Sequence, residues 1–171
     1  MAEGEIINRV AQSKLVTVDL EDFYPVGKRI PIDISDWLYE GLILKEKEFR
    51  AKANTRDWQQ YKDAYVALHC STDAIIPTWA YILLSSHLHG IAKKTIVGDL
   101  VQLETILYTE LIDSLDFSEL LDQPVIIKGC AYKPVPQNAY LLLLQKLQPF
   151  AKSIMFGEAC SAVPLYKKKR S

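Results

Sequence analysis

Among its 171 residues the chain has only three cysteines, three histidines, seven glycines and two methionines. An odd cysteine count, at Cys70, Cys130 and Cys160, is not the signature of a disulfide framework, and in a reducing compartment these residues stay thiols. A net charge of −1 and a pI near 6.3 leave no electrostatic footprint of a nucleic-acid or membrane-surface binder. The longest purely aliphatic run, Leu141 to Leu144, falls far short of the roughly 20 residues a membrane span needs. No N-terminal stretch joins a basic start, an apolar middle and a small-residue cleavage site. Neither G-x-G-x-x-G nor a P-loop occurs, which argues against a nucleotide cradle. These absences lead to the expectation of a soluble, cytoplasmic protein with neither nucleic acid nor membrane as partner.

What is present is a repeat. From Pro77 the chain reads PTWAYILLSSHLHGIAKKTIVGD, and from Pro136 it reads PQNAYLLLLQKLQPFAKSIMFGE. At a fixed offset of 59, nine of these 23 positions are identical: the proline, Ala-Tyr, three leucines, Ala-Lys and the glycine before the closing acid. Cys70 stands seven residues ahead of the first copy, Cys130 six ahead of the second, and Cys160 two beyond its end.

Around the repeat, apolar strands alternate with amphipathic helices. Strands are predicted at 65–70, 95–98, 125–130 and 153–157, and helices at 77–92, 101–115 and 136–150. Pro77 and Pro136 suit a first helical turn, where a missing N–H costs nothing. The alternation implies an α/β fold of the flavodoxin-like or Rossmann-like three-layer kind, with four parallel strands and helices on both faces. Within it, a Cys-loop-helix-strand unit is duplicated. Alternating residues at 14–20 and 29–34, joined by Phe23 to Gly27, suggest an antiparallel strand pair on one edge. A helix is expected from Trp37 to about Ala53. With 49% hydrophobic residues the chain can fill one core, so a single domain over 1–171 is expected: an extension (1–60), the duplicated core (61–166) and a basic tail (167–171).

Ligands of open parallel sheets bind beyond the carboxyl ends of the strands. With strand order 2-1-3-4, the strands ending in Cys70 and Cys130 are neighbours and Cys160 arrives from the next. The expected site is therefore a metal centre at that rim, either Zn or an iron–sulfur cluster held by Cys70, Cys130 and Cys160. Asp73, Asp99 and Glu158 are candidates for a fourth ligand or for outer support, Asp99 and Glu158 being equally suited to cap helices. Lys133 is a weaker candidate for holding an anion. Helix N-termini at Pro77 and Pro136 favour charged sulfur nearby. Two alternatives stay open: a thiol-dependent enzyme with Cys70 or Cys130 as nucleophile, and a non-catalytic interaction or scaffold domain with buried structural cysteines. His69, His87 and His89 read as packing or surface residues, and Trp79, Tyr81 and Tyr140 as core.

The strings VDLEDFYP (18–25), DWLYEGLILKEKEFR (36–50), CSTDAIIPTWAY (70–81), IKGC (127–130) and SIMFGEACSAVPLYKKK (153–169) resemble, nearly end to end, a bacterial family catalogued only as a domain of unknown function. That resemblance implies no catalytic residue. Its implied setting is iron–sulfur cluster assembly, with assembly proteins as partners.

Overall fold

The computed structural model describes residues 15–129, 132–158 and 160–169. It contains a mixed α/β chain with a mostly parallel four-stranded sheet, a second, three-stranded parallel sheet and four α-helices among the described residues. The chain divides into two compact units: an inserted unit, Val26–Ile106, and a flanking unit made of Met1–Pro25 with Leu107–Ser171.

The inserted unit holds β2 (Arg29–Asp33), α1 (Glu46–Thr55), β3 (Tyr65–His69), α2 (Thr78–Leu88) and β4 (Lys94–Val97), with sheet order β2-β3-β4. Its central strand carries Val66, Ala67 and Leu68, all fully buried. A continuous apolar run of that kind belongs to a parallel strand covered on both faces. Ala80, Leu84 and Leu88 of α2, spaced by four, join Phe49 and Ala53 of α1 and Trp37, Trp58 and Tyr61 in one core cluster. Trp37, Phe49, Trp58 and Tyr61 meet at tilted ring geometries 5.2–6.3 Å apart.

In the flanking unit, β1 (Val16–Val18), β5 (Pro124–Ile127) and β6 (Ser153–Phe156) are parallel, and β7 (Val163–Lys167) closes the order β1-β5-β6-β7 antiparallel to β6. α4 (Gln137–Leu147) buries Ala139, Leu143 and Leu147. α3 (Leu100–Ser114) runs through the division between the two units, and its later turns place Tyr108 and Ile112 in the flanking core.

Part of each unit follows one spacing. β3 and β5, α2 and α4, and β4 and β6 each begin 59 residues apart, and so do the short 3-10 turns Gln59–Tyr61 and Ser118–Leu120. Backbone details follow the same step. Asp63 and Asp122 both adopt positive φ, at 58° and 56°. Their N–H groups donate to Ile91 and Phe150 respectively, each at 2.9 Å.

Three sequence expectations are corrected. Among the described residues there is no single sheet of four parallel strands, and β1 and β2 do not form an antiparallel pair. β1 instead lies parallel to β5, Val16 opposite Val125, and β2 parallel to β3, Ile30 opposite Val66. Each buried central strand needs a hydrogen-bonded neighbour on both sides, and a hairpin between β1 and β2 leaves both β3 and β5 one strand short. The helix expected from Trp37 begins only at Glu46. The intervening chain turns through Glu40 and Gly41, both at positive φ, and closes a bridge between Tyr39 and Ile43. No helix among the described residues is long and apolar enough to cross a membrane.

Candidate functional site

The structure contradicts the expected metal centre. Among the described residues no group of three or more His, Cys, Asp or Glu side chains is placed to hold a metal. The physical reason is the division into two sheets: Cys70 follows β3 in the inserted unit, while Cys160 lies beyond β6 in the flanking unit. Cys130 lies outside the described residues. Cys70 and Cys160 thus do not follow strands of one sheet, and a zinc or iron–sulfur site built on Cys70, Cys130 and Cys160 is withdrawn.

The other expected site residues have local roles. Asp99 caps α3: its Oδ1 accepts from the Gln102 N–H at 2.8 Å, and the Gln102 side chain accepts from the Asp99 N–H at 2.9 Å. Asp73 and Glu158 are exposed. Lys133 is tied to the turn after β1, where its Nζ donates to the Glu21 carbonyl at 2.9 Å and lies 5.3 Å from the Tyr24 ring centre. His87 stacks on Trp58 at 5.2 Å and 7°, a packing role.

Cys70 packs against the core of its unit, with Sγ 3.3 Å from the Thr72 hydroxyl. Its equivalent at offset 59 is Gly129, where a Cβ would sit 2.9 Å from the Phe156 ring. Phe156 corresponds in turn to Val97. One unit thus combines glycine with phenylalanine where the other combines cysteine with valine. Gly129→Ala is expected to cost about 1–3 kcal/mol by overpacking, and Phe156→Val in the same chain to recover part of it, as read from urea unfolding in a double-mutant cycle.

The carboxyl ends of β2 and β3 are joined by Asp33. Its carboxylate accepts from the N–H groups of Ser35 (3.0 Å) and Ser71 (3.1 Å), and the two serine hydroxyls meet at 3.1 Å. Burial works to raise the Asp33 pKa, but the hydrogen bonds from Ser71 and Ser35 outweigh it and hold the group far below the ordinary carboxylate range. A depressed folded-state value means stability that is present above the unfolded pKa of about 3.9 and is lost as pH falls toward the folded value. Asp33→Ala is therefore expected to destabilise by about 0.5–2 kcal/mol at neutral pH, the range for losing such a cap. The gap between variant and parent should narrow below about pH 4, as read by denaturant unfolding across pH. At the matching place after β1, Asp19 accepts from the Glu21 N–H at 2.9 Å and pairs with Lys128 at 2.6 Å.

A recess of ≈ 390 Å³ lies at the carboxyl end of α1 among Asp36, Trp37, Lys52, Thr55 and Arg56. Its cations face a helix C-terminus, where positive charge serves the helix dipole itself. Arg56 also lies over the rings of Trp37, Trp58 and Tyr61 at 5.3–5.9 Å.

Another opening is a groove of ≈ 480 Å³ between α2 and β4, lined by Leu68, Thr78, Tyr81, Ile82, Ser85 and Thr95 with Ile96 and Val97. A second recess of ≈ 380 Å³ along α2 shares Ile82 and Ser85 with it. Ile82 is 63% and Val97 57% exposed. At one end Tyr81 supplies a hydroxyl. Burial raises its pKa, and the nearby Cys70 and Asp33 act in the same direction, so it is protonated and able to donate at neutral pH. A volume of this size, mostly apolar with a few polar groups, falls within the usual range of ligand sites.

At the matching positions of the flanking unit, Ser85, Thr95 and Val97 are replaced by Leu144, Ile154 and Phe156. Ile154 is fully buried, and Phe156 makes an edge contact of 5.6 Å with Tyr140, the counterpart of Tyr81. Leu144, Phe156 and Tyr166 of β7 all pack on that unit's core. The groove residues did not stand out in the sequence because attention to a repeat falls on what is identical. Their signal was the opposite, three positions where small residues replace large ones.

With this geometry in hand, comparison with known proteins gives one match. Residues 4–168 fit the family described as "Protein of unknown function (DUF2480)", and the chain belongs to that family. No curated protein and no solved structure matches the chain.

Proposed function

We propose that this family member is a binding protein whose site is the α2–β4 groove of the inserted unit, and that its ligand presents an apolar surface. The reading treats residues 65–97 and 124–156 as two copies of one β-α-β unit, one keeping the packing role and the other opened for binding. A single observation carries it: Ser85, Thr95 and Val97 stand where Leu144, Ile154 and Phe156 fill the equivalent space. Truncating three facing side chains by chance leaves a cavity that destabilises the fold. Kept open and solvent-accessible, the same space is a place for another molecule's apolar atoms, worth about 25 cal/mol for each Å² removed from water. Tyr81, Thr78, Ser85 and Thr95 provide the few hydroxyls that orient such a ligand.

The test uses 1-anilinonaphthalene-8-sulfonate on the folded protein at neutral pH. The parent chain is expected to enhance and blue-shift its emission saturably. The triple variant Ser85→Leu, Thr95→Ile, Val97→Phe, which gives the groove the other unit's residues, is expected to lose that signal while keeping its circular dichroism. Equal emission from the two folded proteins rules the groove out as the site.

A further inference from the structure

Building on the groove reading, we infer that the occupant is an extended segment of a partner protein, added antiparallel to β4 as a fourth strand and carrying a lysine or arginine just past its end that meets Asp63.

The argument comes from what sits on the matching edge. In the flanking unit β7 lies antiparallel to β6, with Val163 opposite Phe156 and Lys167 opposite Ser153. One residue further, the Lys168 N–H donates to the Lys152 carbonyl at 2.9 Å, and its Nζ meets Asp122 at 2.8 Å. Subtracting 59 carries Phe156, Ser153, Lys152 and Asp122 to Val97, Lys94, Lys93 and Asp63. The two aspartates are presented alike, each at positive φ with its N–H bound to the chain end leaving the following helix. Asp122 has its cation. Among the described residues Asp63 enters no ion pair, and β4 is the last strand of its sheet.

The chain after each strand explains the difference. Past β6 it turns at Glu158 to Ser161, whose N–H donates to the Glu158 carbonyl, and returns as β7. Past β4, Asp99 caps α3 and the chain leaves as a helix. Among the described residues no strand lies beyond β4, which leaves its outer edge open to a strand of another molecule. Main-chain pairing supplies affinity in strand addition, and pockets for alternate side chains supply selectivity. Here the pockets ask for bulk, since Val97, Thr95 and Ser85 leave more room than their counterparts. Asp63 asks for a cation at the strand's carboxyl end, which makes the complementarity directional as well as apolar.

The probe is a fluorescein-labelled peptide of residues 161–169, SAVPLYKKK, titrated with the full chain and read by fluorescence polarisation. Saturable binding is expected, absent for a scrambled peptide and lost in Val97→Asp protein. Asp63→Lys should weaken it about two- to five-fold, the scale of an exposed ion pair. A peptide with Lys168→Glu should bind Asp63→Lys protein better than it binds the parent. Absence of binding, indifference to Val97→Asp, or no coupling between the two charge reversals overturns the inference. If the peptide fails while the naphthalene probe still responds to groove filling, the strand assignment falls and the groove reading stands; if both fail, both fall. Concentration-dependent dimerisation of the chain alone, suppressed by the peptide, makes a second copy the occupant and overturns the assignment to a partner protein.

Discussion

Glu104→Leu is expected to cost the fold about 3–5 kcal/mol, the range for breaking a buried ion pair from one side. Glu104 is the buried charged residue of the core, and its carboxylate meets Arg29 twice, Nε to Oε1 at 2.6 Å and a terminal nitrogen to Oε2 at 3.1 Å. Only 11% of the Arg29 side chain and 9% of the Glu104 side chain is exposed. Arg29 also donates to the Gly27 carbonyl at 2.7 Å and sits 5.0 Å from the centre of the Tyr65 ring. A leucine at 104 leaves that largely buried guanidinium without the carboxylate that offsets its desolvation. The double variant Arg29→Met, Glu104→Leu removes both charges and should lie well above the single variant in stability. Urea unfolding of parent, single and double variants measures this. A single-variant cost below about 1 kcal/mol would place the pair among ordinary surface bridges instead.

The second large effect comes from a matched pair of leucines. Leu84 and Leu143 occupy the same position of α2 and α4, and both are completely buried. Leu→Ala at such a site removes transfer energy and leaves a cavity, together about 2–5 kcal/mol. Each replacement is expected in that range. Equal values would mean that the two helices fill their cores equally well. Tyr81 and Ser85 of the same helix line an open groove into which side chains around residue 84 can relax, so Leu84→Ala is expected to be the milder of the two, with denaturant midpoints and slopes as the readout. The slope carries extra information, since loss of cooperativity between the two units would lower it.

Much of the fold was legible because the repeat fixes it twice. The bounds of α2, α4, β4 and β6 lie within a few residues of those expected, where alternating apolar runs and the prolines before the helices mark them. Strand pairing was not legible. Alternation in 14–20 and 29–34 tells which face of a strand is buried but not which strand lies beside it, and proximity in sequence suggested a hairpin. The actual neighbours are more than a hundred residues away for β1 and about 36 for β2. β7 escaped notice because VPLYK is short, contains proline and leaves most of its side chains exposed, all of which suit an edge strand.

The cysteines misled for a related reason. Cys70 and Cys130 lie near the start of their copies, yet they are not at the same repeated position: the counterpart of Cys70 is Gly129 and that of Cys130 is Ser71. Cys70 stands where the other copy has Gly129, a position at which the Phe156 ring leaves no room for a side chain. The candidate site was equally present in the sequence, written in substitutions between the copies, and it became readable once the structure showed which of those positions face one another.

The most direct measurement is chemical-shift mapping of the nitrogen-15-labelled chain during titration with indole, a neutral apolar ring with one donor. The account predicts saturable shifts concentrated at Tyr81, Ile82, Ser85, Thr95 and Val97, with Leu144, Ile154 and Phe156 unmoved. Shifts centred on those flanking-unit residues, or scattered without saturation, would contradict it.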